Sequence, residues 1–271
     1  MDKKRVLIVT HEMKPYLILS EIAKFAHQIP VYLQNKNMEI RVLMPRFGVI
    51  NERRHRLHEV VRLSGINIII DNDDYPLIIK VASLPGARLQ VYFLDNEEFF
   101  KRKGVFGDED SEIAYEDNAE RMVFFCKGVM ETVKKFGWPP DIIHCHGWMT
   151  SLIPMYMKTV YKKEPVFLNS KMVFTAYENQ FEGHLNAKIF QQKALISEEI
   201  KEKDFAPFKK ADNAGLTLGA ITHSDGIIQA PGTLPKAVAD YIKTCRKPKI
   251  ETKEDDSYLD DYLAFYQKLM K

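Results

Sequence analysis

Cysteine is scarce in this sequence, with three residues in a chain of 271. Cys126, Cys145 and Cys245 are widely spaced and odd in number, which does not suit a disulfide framework and is typical of a reducing compartment. Long apolar runs are lacking too, and the first one, residues 6–10, is too short for a signal-peptide core or a membrane span. We therefore expect a soluble, cytoplasmic protein with no membrane partner.

A surplus of charge of one sign is also missing. Lysine and arginine total 39 against 37 aspartates and glutamates, which leaves a net charge of +2. The basic clusters at residues 53–56 and 101–103 are short and lack interleaved aromatic residues. The sequence therefore does not indicate a nucleic-acid partner. Its length suits one large α/β domain with ample material for a core.

Apolar runs of strand length alternate with helical patterns along most of the chain. Residues 6–10 show no polar alternation, which is typical of a strand covered on both faces in a parallel sheet. The predicted strands are residues 6–10, 39–44, 89–94, 142–145, 172–175, 220–223 and 226–230. The predicted helices are residues 19–29, perturbed or ended by Pro30, and residues 117–136, 150–160 and 235–244. This alternation predicts an open, mostly parallel sheet with helices on both faces.

Two internal segments depart from the alternation. Residues 60–81 hold three apolar segments and the polar turn 71–74, which predicts an antiparallel hairpin inserted in the sheet. Residues 182–213 have a helical but polar pattern that Pro207 interrupts, so their elements are not ordered from the sequence.

The carboxyl-terminal part predicts a separate organisation. Residues 247–256 switch from basic to acidic, which is typical of a linker. Residues 257–271 carry an apolar stripe at the i, i+3, i+4, i+7 spacing of an amphipathic helix, which needs a partner surface. We predict one domain over residues 1–246, a linker over 247–256 and a carboxyl-terminal helix over 257–271.

Side chains capable of chemistry cluster at the end of the strand predicted over residues 142–145. Alternation along a strand places His144 and His146 on one face and Cys145 on the other, and Gly147 permits a sharp turn. Ligand sites of open α/β sheets lie at such strand ends. The alternative is that both histidines are hydrogen-bonded core or loop residues.

A metal centre and a nucleophilic thiol are the other chemistries that this stretch suggests. The pair His144-x-His146 can chelate, but Cys145 points away from it and no acidic third ligand is close in sequence. We therefore predict no metal. Neither the flanking residues nor an identifiable base supports an activated thiolate at Cys126 or Cys145.

Several stretches, in order, resemble the amino-terminal half of bacterial glycogen synthases and plant starch synthases. Residues 41–48, Arg-Val-Leu-Met-Pro-Arg-Phe-Gly, resemble the family's second strand and Pro-Arg-Tyr-Gly turn. Residues 117–122, Asp-Asn-Ala-Glu-Arg-Met, resemble its Asp-Asn-Ala-x-Arg-Phe helix start. Residues 138–150 are close to its Trp-x-Pro-Asp-Ile-Ile-His-x-His-Asp-Trp-x-Thr motif. The resemblance implies a single Rossmann-like domain of the GT-B type.

The resemblance also implies an activity, the retaining transfer of glucose from ADP-glucose to an α-1,4-glucan. ADP-glucose would be the donor substrate, and no cofactor is implied. In such enzymes the active site lies between two domains, and the second domain holds most of the nucleotide. The transfer would then depend on a separate second-domain chain, or the protein would be a non-catalytic glucan-binding or regulatory module. Residues 257–271 are expected to cover the domain or to join two copies as a homodimer.

The resemblance assigns roles to individual residues. It places a catalytic histidine at His146, beside the transferred glucose. The substrate-binding candidates are Glu12, Asp117, Asn118, Arg121, Trp148, Tyr177 and Glu178. Local alternatives are a helix N-cap for Asp117, an i, i+4 partner of Asp117 for Arg121, and a packing role for Trp148. A third possibility is an unrelated small ligand held by His146, Glu12 and Glu178, because a fold does not fix function.

Three departures from the family pattern weaken the donor site. The Lys-Thr-Gly-Gly-Leu loop that meets the donor diphosphate falls on residues 18–22, Ile-Leu-Ser-Glu-Ile, which lack positive charge and glycine. The aspartate of His-Asp-Trp is Gly147. The Thr-x-His-Asn segment appears as residues 175–178, Thr-Ala-Tyr-Glu. Each change removes a polar contact with sugar or phosphate, so autonomous catalysis is not expected.

Overall fold

The computed structural model describes residues 3–111, 113–178, 181–255 and 257–271. The strands are β1 (Arg5–Thr10), β2 (Glu39–Pro45), β3 (His58–Glu59), β4 (Ile66–Ile70), β5 (Asp73–Ser83), β6 (Gln90–Asp95), β7 (Ile142–His146), β8 (Lys171–Ala176), β9 (Gly226–Gln229) and β10 (Lys249–Glu251). The helices are α1 (Ile22–Asn35), α2 (Glu52–His55), α3 (Glu97–Phe100), α4 (Asn118–Phe136), α5 (Leu152–Lys158), α6 (Ala187–Ala194), α7 (Glu202–Phe205), α8 (Asn213–His223), α9 (Lys236–Thr244) and α10 (Tyr258–Leu269). Short 3₁₀ turns lie at Trp148–Thr150, Pro165–Phe167 and Ala206–Phe208.

The sheet is mostly parallel, with the order β10-β9-β8-β7-β1-β2-β6-β5-β3. β5 pairs antiparallel with β6, β3 and β4, and it follows β4 across a turn at residues 71–72. β1 lies at the centre, where Ile8 stands opposite Val42 of β2 and His144 of β7. The predicted α/β class is therefore confirmed, and the central strands are buried along their length, as their unbroken apolar runs indicated.

Helices pack on this sheet in two groups. α1 contacts β2 and α10, whereas α4, α5 and α8 contact one another in sequence. The apolar face of α1 is buried, and Pro30 lies within the helix, which runs on to Asn35. Of the two predicted effects of Pro30, ending the helix is therefore wrong, and perturbing it stays a prediction. Among the described residues, no helix is both long enough and apolar enough to cross a membrane.

The strand predicted over residues 220–223 is wrong, because these residues form the last turn of α8. The Asp212 side chain caps this helix by accepting a hydrogen bond of 2.7 Å from the Gly215 N–H. A run of four residues, Ala-Ile-Thr-His, is too short to distinguish a strand from the end of a buried helix. The cap eight residues before this run, with Gly219 packed under the Phe208 ring, decides for the helix.

The linker predicted over residues 247–256 contains a strand, so that prediction is wrong over Lys249–Glu251. β10 pairs parallel with β9, with Ile250 opposite Ile228. The Lys247 ammonium also donates a hydrogen bond of 2.7 Å to the Ser224 carbonyl, just after α8. These contacts tie the segment to the sheet edge. The last residue of the predicted linker lies outside the described residues, and the domain division otherwise stays a prediction.

The carboxyl-terminal helix α10 packs on its own domain. Its buried aromatic face consists of Tyr258, Tyr262, Phe265 and Tyr266. The tyrosine hydroxyls make polar contacts inside the domain, and that of Tyr258 donates a hydrogen bond of 2.8 Å to Gln28 on α1. The face predicted to need a partner surface therefore finds one within the same chain. Its use as a dimer contact stays a prediction.

Candidate functional site

The carboxyl ends of β1, β7 and β8 lie side by side at one edge of the sheet, because these strands are adjacent and parallel. Residues 11–12 follow β1, residues 147–148 follow β7, and residues 177–178 follow β8. The topology therefore brings together candidates that are far apart in sequence. Such an edge is where open α/β sheets bind their ligands.

His146 and His144 lie next to each other on one face of β7, with ring centroids 3.9 Å apart and ring planes inclined by 45°. Both nitrogens of His144 are bonded, Nδ1 to the Tyr266 hydroxyl at 2.5 Å and Nε2 to the Thr175 hydroxyl at 2.6 Å. His146 Nδ1 bonds the Tyr177 hydroxyl at 2.7 Å. Its Nε2 is buried and has no hydrogen-bond partner among the described residues. His144 is therefore a satisfied core residue, and His146 keeps one atom for another group.

Burial sets the charge of these groups. It lowers the pKa of His146 to about 3, and it lowers the pKa of His144 well below its ordinary value. It also raises the pKa of the Tyr177 hydroxyl well above its usual range. At neutral pH both imidazoles are therefore neutral and the phenol keeps its proton. His146 can exchange hydrogen bonds with a ligand, but it offers no positive charge.

The Glu12 carboxylate is hydrogen-bonded to amide groups of the loop before α1. It accepts hydrogen bonds from the Leu19 N–H at 2.6 Å, the Ser20 N–H at 2.8 Å and the Ser20 hydroxyl at 2.6 Å. Burial raises the pKa of Glu12, but hydrogen bonds from His11, Ser20 and Leu19 outweigh it, so the pKa is lowered overall. A carboxylate of the protein thus accepts the hydrogen bonds of the loop amides, at the place where the family resemblance puts a diphosphate.

A cavity of about 420 Å³ opens beside this loop. It is lined by His11, Glu12, Leu19, Ser20, Glu21, Ile22, Phe106, Tyr177 and Glu178. Burial and the neighbouring Glu178 raise the pKa of Glu21, which shows that the two carboxylates repel each other. The Ile22 N–H donates to the Ser20 hydroxyl and is also in use. A diphosphate entering here would meet negative charge and amides already bonded within the protein.

The histidine after β1 takes the space left by a missing side chain after β7. A Cβ atom at Gly147 would lie 2.0 Å from the Cε1 and Nδ1 atoms of His11, and the φ angle of Gly147 is +85°. The His11 ring packs edge-on against Phe106, with centroids 5.5 Å apart. Sequence reasoning missed His11, although its position directly after β1 places it at the same edge as His146.

The residues at the start of α4 make contacts different from those predicted. Asp117 stands at the N-cap position without a capping hydrogen bond, and its carboxylate binds Arg102 through contacts of 2.7 and 2.5 Å. Arg121 donates to the Asn118 side chain at 2.7 Å and to the Phe99 carbonyl at 2.8 Å. The proposed i, i+4 pair is therefore wrong. Burial lowers the pKa of Arg121 to about 10, which leaves it charged at neutral pH.

A second cavity, of about 670 Å³, lies between the segment before α4 and the segment before α6. It is lined by Phe106, Ala114, Tyr115, Glu116, Asn118, Trp148, Phe181, Glu182, His184, Leu185, Asn186, Ala187 and Ile189. The buried Trp148 ring packs between Phe106 and Phe181, at centroid distances of 5.0 and 5.1 Å. Trp148 therefore packs between two aromatic rings and also lines the cavity, so its role in substrate binding stays a prediction. Asn118 reaches the cavity, whereas Asp117 and Arg121 are not among its lining residues.

Metal and thiol chemistry find little support at this edge. Within the part of the chain that the structure describes, no group of three or more histidine, cysteine, aspartate or glutamate side chains could hold a metal ion. The Cys145 thiol lies on the opposite face of β7 from the histidines, 3.9 Å from the Met172 sulfur. Burial raises its pKa well above the ordinary value, so it stays a thiol.

The fold and the site together define a Rossmann-like α/β domain whose ligand edge is built on β1, β7 and β8. The sequence model of the protein family described as the starch synthase catalytic domain matches residues 5–235 of this chain. A glycogen synthase of Chlorobium limicola is 38% identical over 82% of this chain and 44% of its own length. That of Chlorobium phaeobacteroides is 41% identical over 88% of this chain and 47% of its own length. The chain therefore belongs to the starch synthase catalytic-domain family, and it spans about half the length of the curated relatives it matches.

A solved structure supports the same fold. The catalytic domain of starch synthase IV from Arabidopsis thaliana, bound to ADP and acarbose, superposes with a TM-score of 0.70 at 19% identity. The match covers 98% of this chain and 50% of that chain. The fold is thus that of one half of a GT-B starch synthase catalytic domain.

Proposed function

We propose that this chain is the glucan-binding half of a glycogen-synthase-type glucosyltransferase. It would take part in glucose transfer from ADP-glucose to an α-1,4-glucan only when a second domain supplies the nucleotide site. The observation that carries this proposal is the cavity of about 670 Å³ beside Trp148. Its aromatic walls and the exposed polar side chains of His184 and Asn186 suit a sugar chain, which has apolar faces and a rim of hydroxyls.

The donor side explains why the proposal assigns only half of the reaction to this chain. Departure of a diphosphate requires groups that stabilise its growing negative charge. The cavity next to β1 presents Glu12, Glu21 and Glu178 instead. Any stabilising cations would therefore have to come from the partner domain, facing His146 across the cleft. This arrangement agrees with the glycogen synthase relatives, which are about twice as long as this chain.

The second candidate is a non-catalytic glucan-binding or regulatory module of the same family. The Glu12 carboxylate favours it, because the loop amides are already satisfied without a diphosphate. Both candidates share the glucan and the cytoplasmic setting expected from the sequence. They differ in whether a second domain restores transfer.

Calorimetric titration of the purified chain with maltoheptaose, ADP and ADP-glucose tests the shared part of the proposal. We expect maltoheptaose to bind and both nucleotides to give no heat. Phe181→Ala should weaken maltoheptaose binding, because Phe181 lines the cavity. Exposed Leu168 lies outside the residues lining that cavity, so Leu168→Ala is the matched control and should bind as the parent does. Absence of maltoheptaose binding, or binding of ADP-glucose by the chain alone, would overturn the proposal.

A transfer assay separates the two candidates. The chain would be mixed with the isolated carboxyl-terminal domain of a Chlorobium glycogen synthase, and glucose incorporation from ADP-glucose into maltoheptaose measured. Incorporation that requires both chains and disappears with His146→Ala supports the split enzyme. Glucan binding without incorporation supports the module.

A further inference from the structure

The two neighbouring histidines of β7 differ in the hydrogen-bond partners of their ring nitrogens. His144 lies between two hydroxyls and has no free nitrogen. His146 has one nitrogen bonded to Tyr177, and its Nε2 is without a partner in the described part of the chain. Which hydrogen bonds His146 can make with a ligand therefore depends on which of its two nitrogens carries the proton.

Counting unsatisfied groups distinguishes the two tautomers of His146. If the Tyr177 hydroxyl donates to Nδ1, the phenol proton and Nδ1 are satisfied, and one group, the Nε2 N–H, needs an acceptor. If Nδ1–H donates to Tyr177, the phenol proton and the Nε2 lone pair both lack partners among the described residues. Tyr177 is buried and makes no other hydrogen bond within that part of the chain. Each buried polar group without a partner costs about 1–3 kcal/mol, so the first arrangement is favoured.

The same count applies to His144, whose Nδ1 contacts the Tyr266 hydroxyl and whose Nε2 contacts the Thr175 hydroxyl. It favours donation from Tyr266 to Nδ1, which places the His144 proton on Nε2, where it is donated to Thr175. Tyr266 comes from α10 and Thr175 from β8, so two elements clamp the His144 ring. His146, 3.9 Å away between centroids, packs on a ring that cannot turn without breaking two hydrogen bonds.

We propose that Tyr177 is a positioning residue that holds His146 as the Nε2–H tautomer. His146 then donates a hydrogen bond from Nε2 to an oxygen atom of the bound sugar, and it does not act as a base at that nitrogen. The identity of this ligand rests on the proposed function, whereas the tautomer does not. Tyr177 is a substrate-binding candidate by the family resemblance, and in this proposal it acts on the ligand through His146.

The position of Tyr177 is also a departure from the family pattern, which has a histidine there. A histidine at this position could either donate to or accept from Nδ1, and it would leave the tautomer of His146 open. A phenol whose pKa is raised by burial keeps its proton, and here it can only satisfy that proton by donating. Tyrosine at position 177 therefore determines the tautomer of His146, whereas the histidine of the family would leave it open.

Nitrogen-15 NMR of the ligand-free protein tests the tautomer directly. The two ring nitrogens of a neutral histidine resonate far apart, and long-range correlations to the ring protons identify which of them is protonated. We expect His146 in the parent protein to show a protonated Nε2 and an unprotonated Nδ1. A spectrum with the proton on Nδ1 would overturn the proposal without any variant and independently of glucan binding.

A matched pair of variants tests whether Tyr177 is responsible. Tyr177→Phe and Tyr266→Phe each remove one buried hydroxyl that bonds a histidine Nδ1, so their losses of stability should be similar. Only Tyr177→Phe should convert the His146 signals to a mixture of tautomers. If both variants, or neither, change the tautomer of His146, the assignment to Tyr177 is wrong.

The transfer assay with the added second domain supplies the functional readout, because the family resemblance places His146 beside the transferred glucose. With the competent tautomer reduced to roughly half, the rate of transfer by Tyr177→Phe should fall about twofold. Tyr266→Phe should transfer glucose at the rate of the parent. A Tyr177→Phe rate equal to that of the parent would overturn the donor role of His146.

Discussion

The loop after β1 and the end of β7 lie at the same edge of the sheet, but their polar groups differ in whether they are already hydrogen-bonded within the protein. In the first, the Leu19 and Ser20 amides are bonded to Glu12. In the second, His146 is held in place by Tyr177 and keeps Nε2 for another group. The difference shows that the polar groups of one part of a site can remain available to a ligand while those of the neighbouring part are satisfied within the protein. A fold shared with enzymes therefore needs to be tested group by group.

The largest effect should come from removing α10, which supports the β7 side through Tyr266 and His144. Deletion of residues 257–271 would remove four buried aromatic side chains and uncover the surface of the domain that they now cover. The loss of apolar burial should cost on the order of 5 kcal/mol or more, which is comparable to the whole stability of many domains. Urea denaturation should show an unfolded or strongly destabilised chain. Gln267→Ala, an exposed position on the same helix, is the control and should leave the midpoint unchanged.

Restoring the family aspartate after β7 should cost about 3–5 kcal/mol in Gly147→Asp. The new Cβ would overlap the His11 ring, and the positive φ angle disfavours any side chain. In the double variant His11→Ala/Gly147→Asp, the part of the stability loss that comes from overlap with the His11 ring should disappear. The part that comes from the positive φ angle should remain. The two substitutions should therefore be strongly non-additive in urea denaturation. Additive losses would show that His11 and residue 147 do not share this space.

The two regions should respond to acid in different pH ranges. The folded pKa of His146 is lowered to about 3, so below the ordinary histidine value the unfolded chain binds more protons and stability falls. From pH 8 to pH 5 this one group should remove about 2 kcal/mol. His146→Gln does not titrate, so its free energy of unfolding should fall by correspondingly less over that range. Equal slopes for the two proteins would contradict a buried neutral His146.

Glu12 should act only in a more acidic range. Its folded pKa is lowered, so the stability it contributes is present above its ordinary value of 4.5 and is lost as the pH falls through the folded pKa. Glu12→Gln should therefore change the slope of stability below about pH 4.5 and leave the slope between pH 5 and pH 8 as in the parent. An altered slope in the upper range would mean that the two regions titrate together.

The smallest effect is expected at the tip of the β1 loop. Ile18 is 59% exposed, so Ile18→Ser should change the free energy of unfolding by no more than about 0.5 kcal/mol. The same variant should leave maltoheptaose binding unchanged, since Ile18 lines neither cavity at this edge. A large loss of stability would show that this residue is covered in solution.

The sequence carries enough information to predict most of the central sheet. Unbroken apolar runs identified β1 and β7 because strands buried on both faces need such runs, and the alternation within β7 placed His144 and His146 on one face. The end of α8 and the short β10 were missed. Their conformations depend on a distant helix cap and on pairing with β9, which a local pattern does not contain.

The site was predictable as a location more than as a set of contacts. The motif around His146 and the departures in residues 18–22 directed attention to the sheet edge where β1 and β7 end. Nothing in sequence spacing joins Glu12 to the Leu19 and Ser20 amides, or Tyr177 to His146, because these contacts depend on how the loops close over the sheet. The partner of Asp117, Arg102, lies fifteen residues before it in a segment without regular structure.

The close fit of the His11 ring over Gly147 has a consequence for the history of the chain. If the ancestor carried the aspartate of the family motif, a histidine at position 11 would have met that side chain at an impossible distance. A route through folded intermediates would then change position 147 to glycine first and position 11 to histidine second. The intermediates to look for are relatives with glycine at position 147 and a small residue at position 11. Relatives with aspartate at position 147 and histidine at position 11 should be rare.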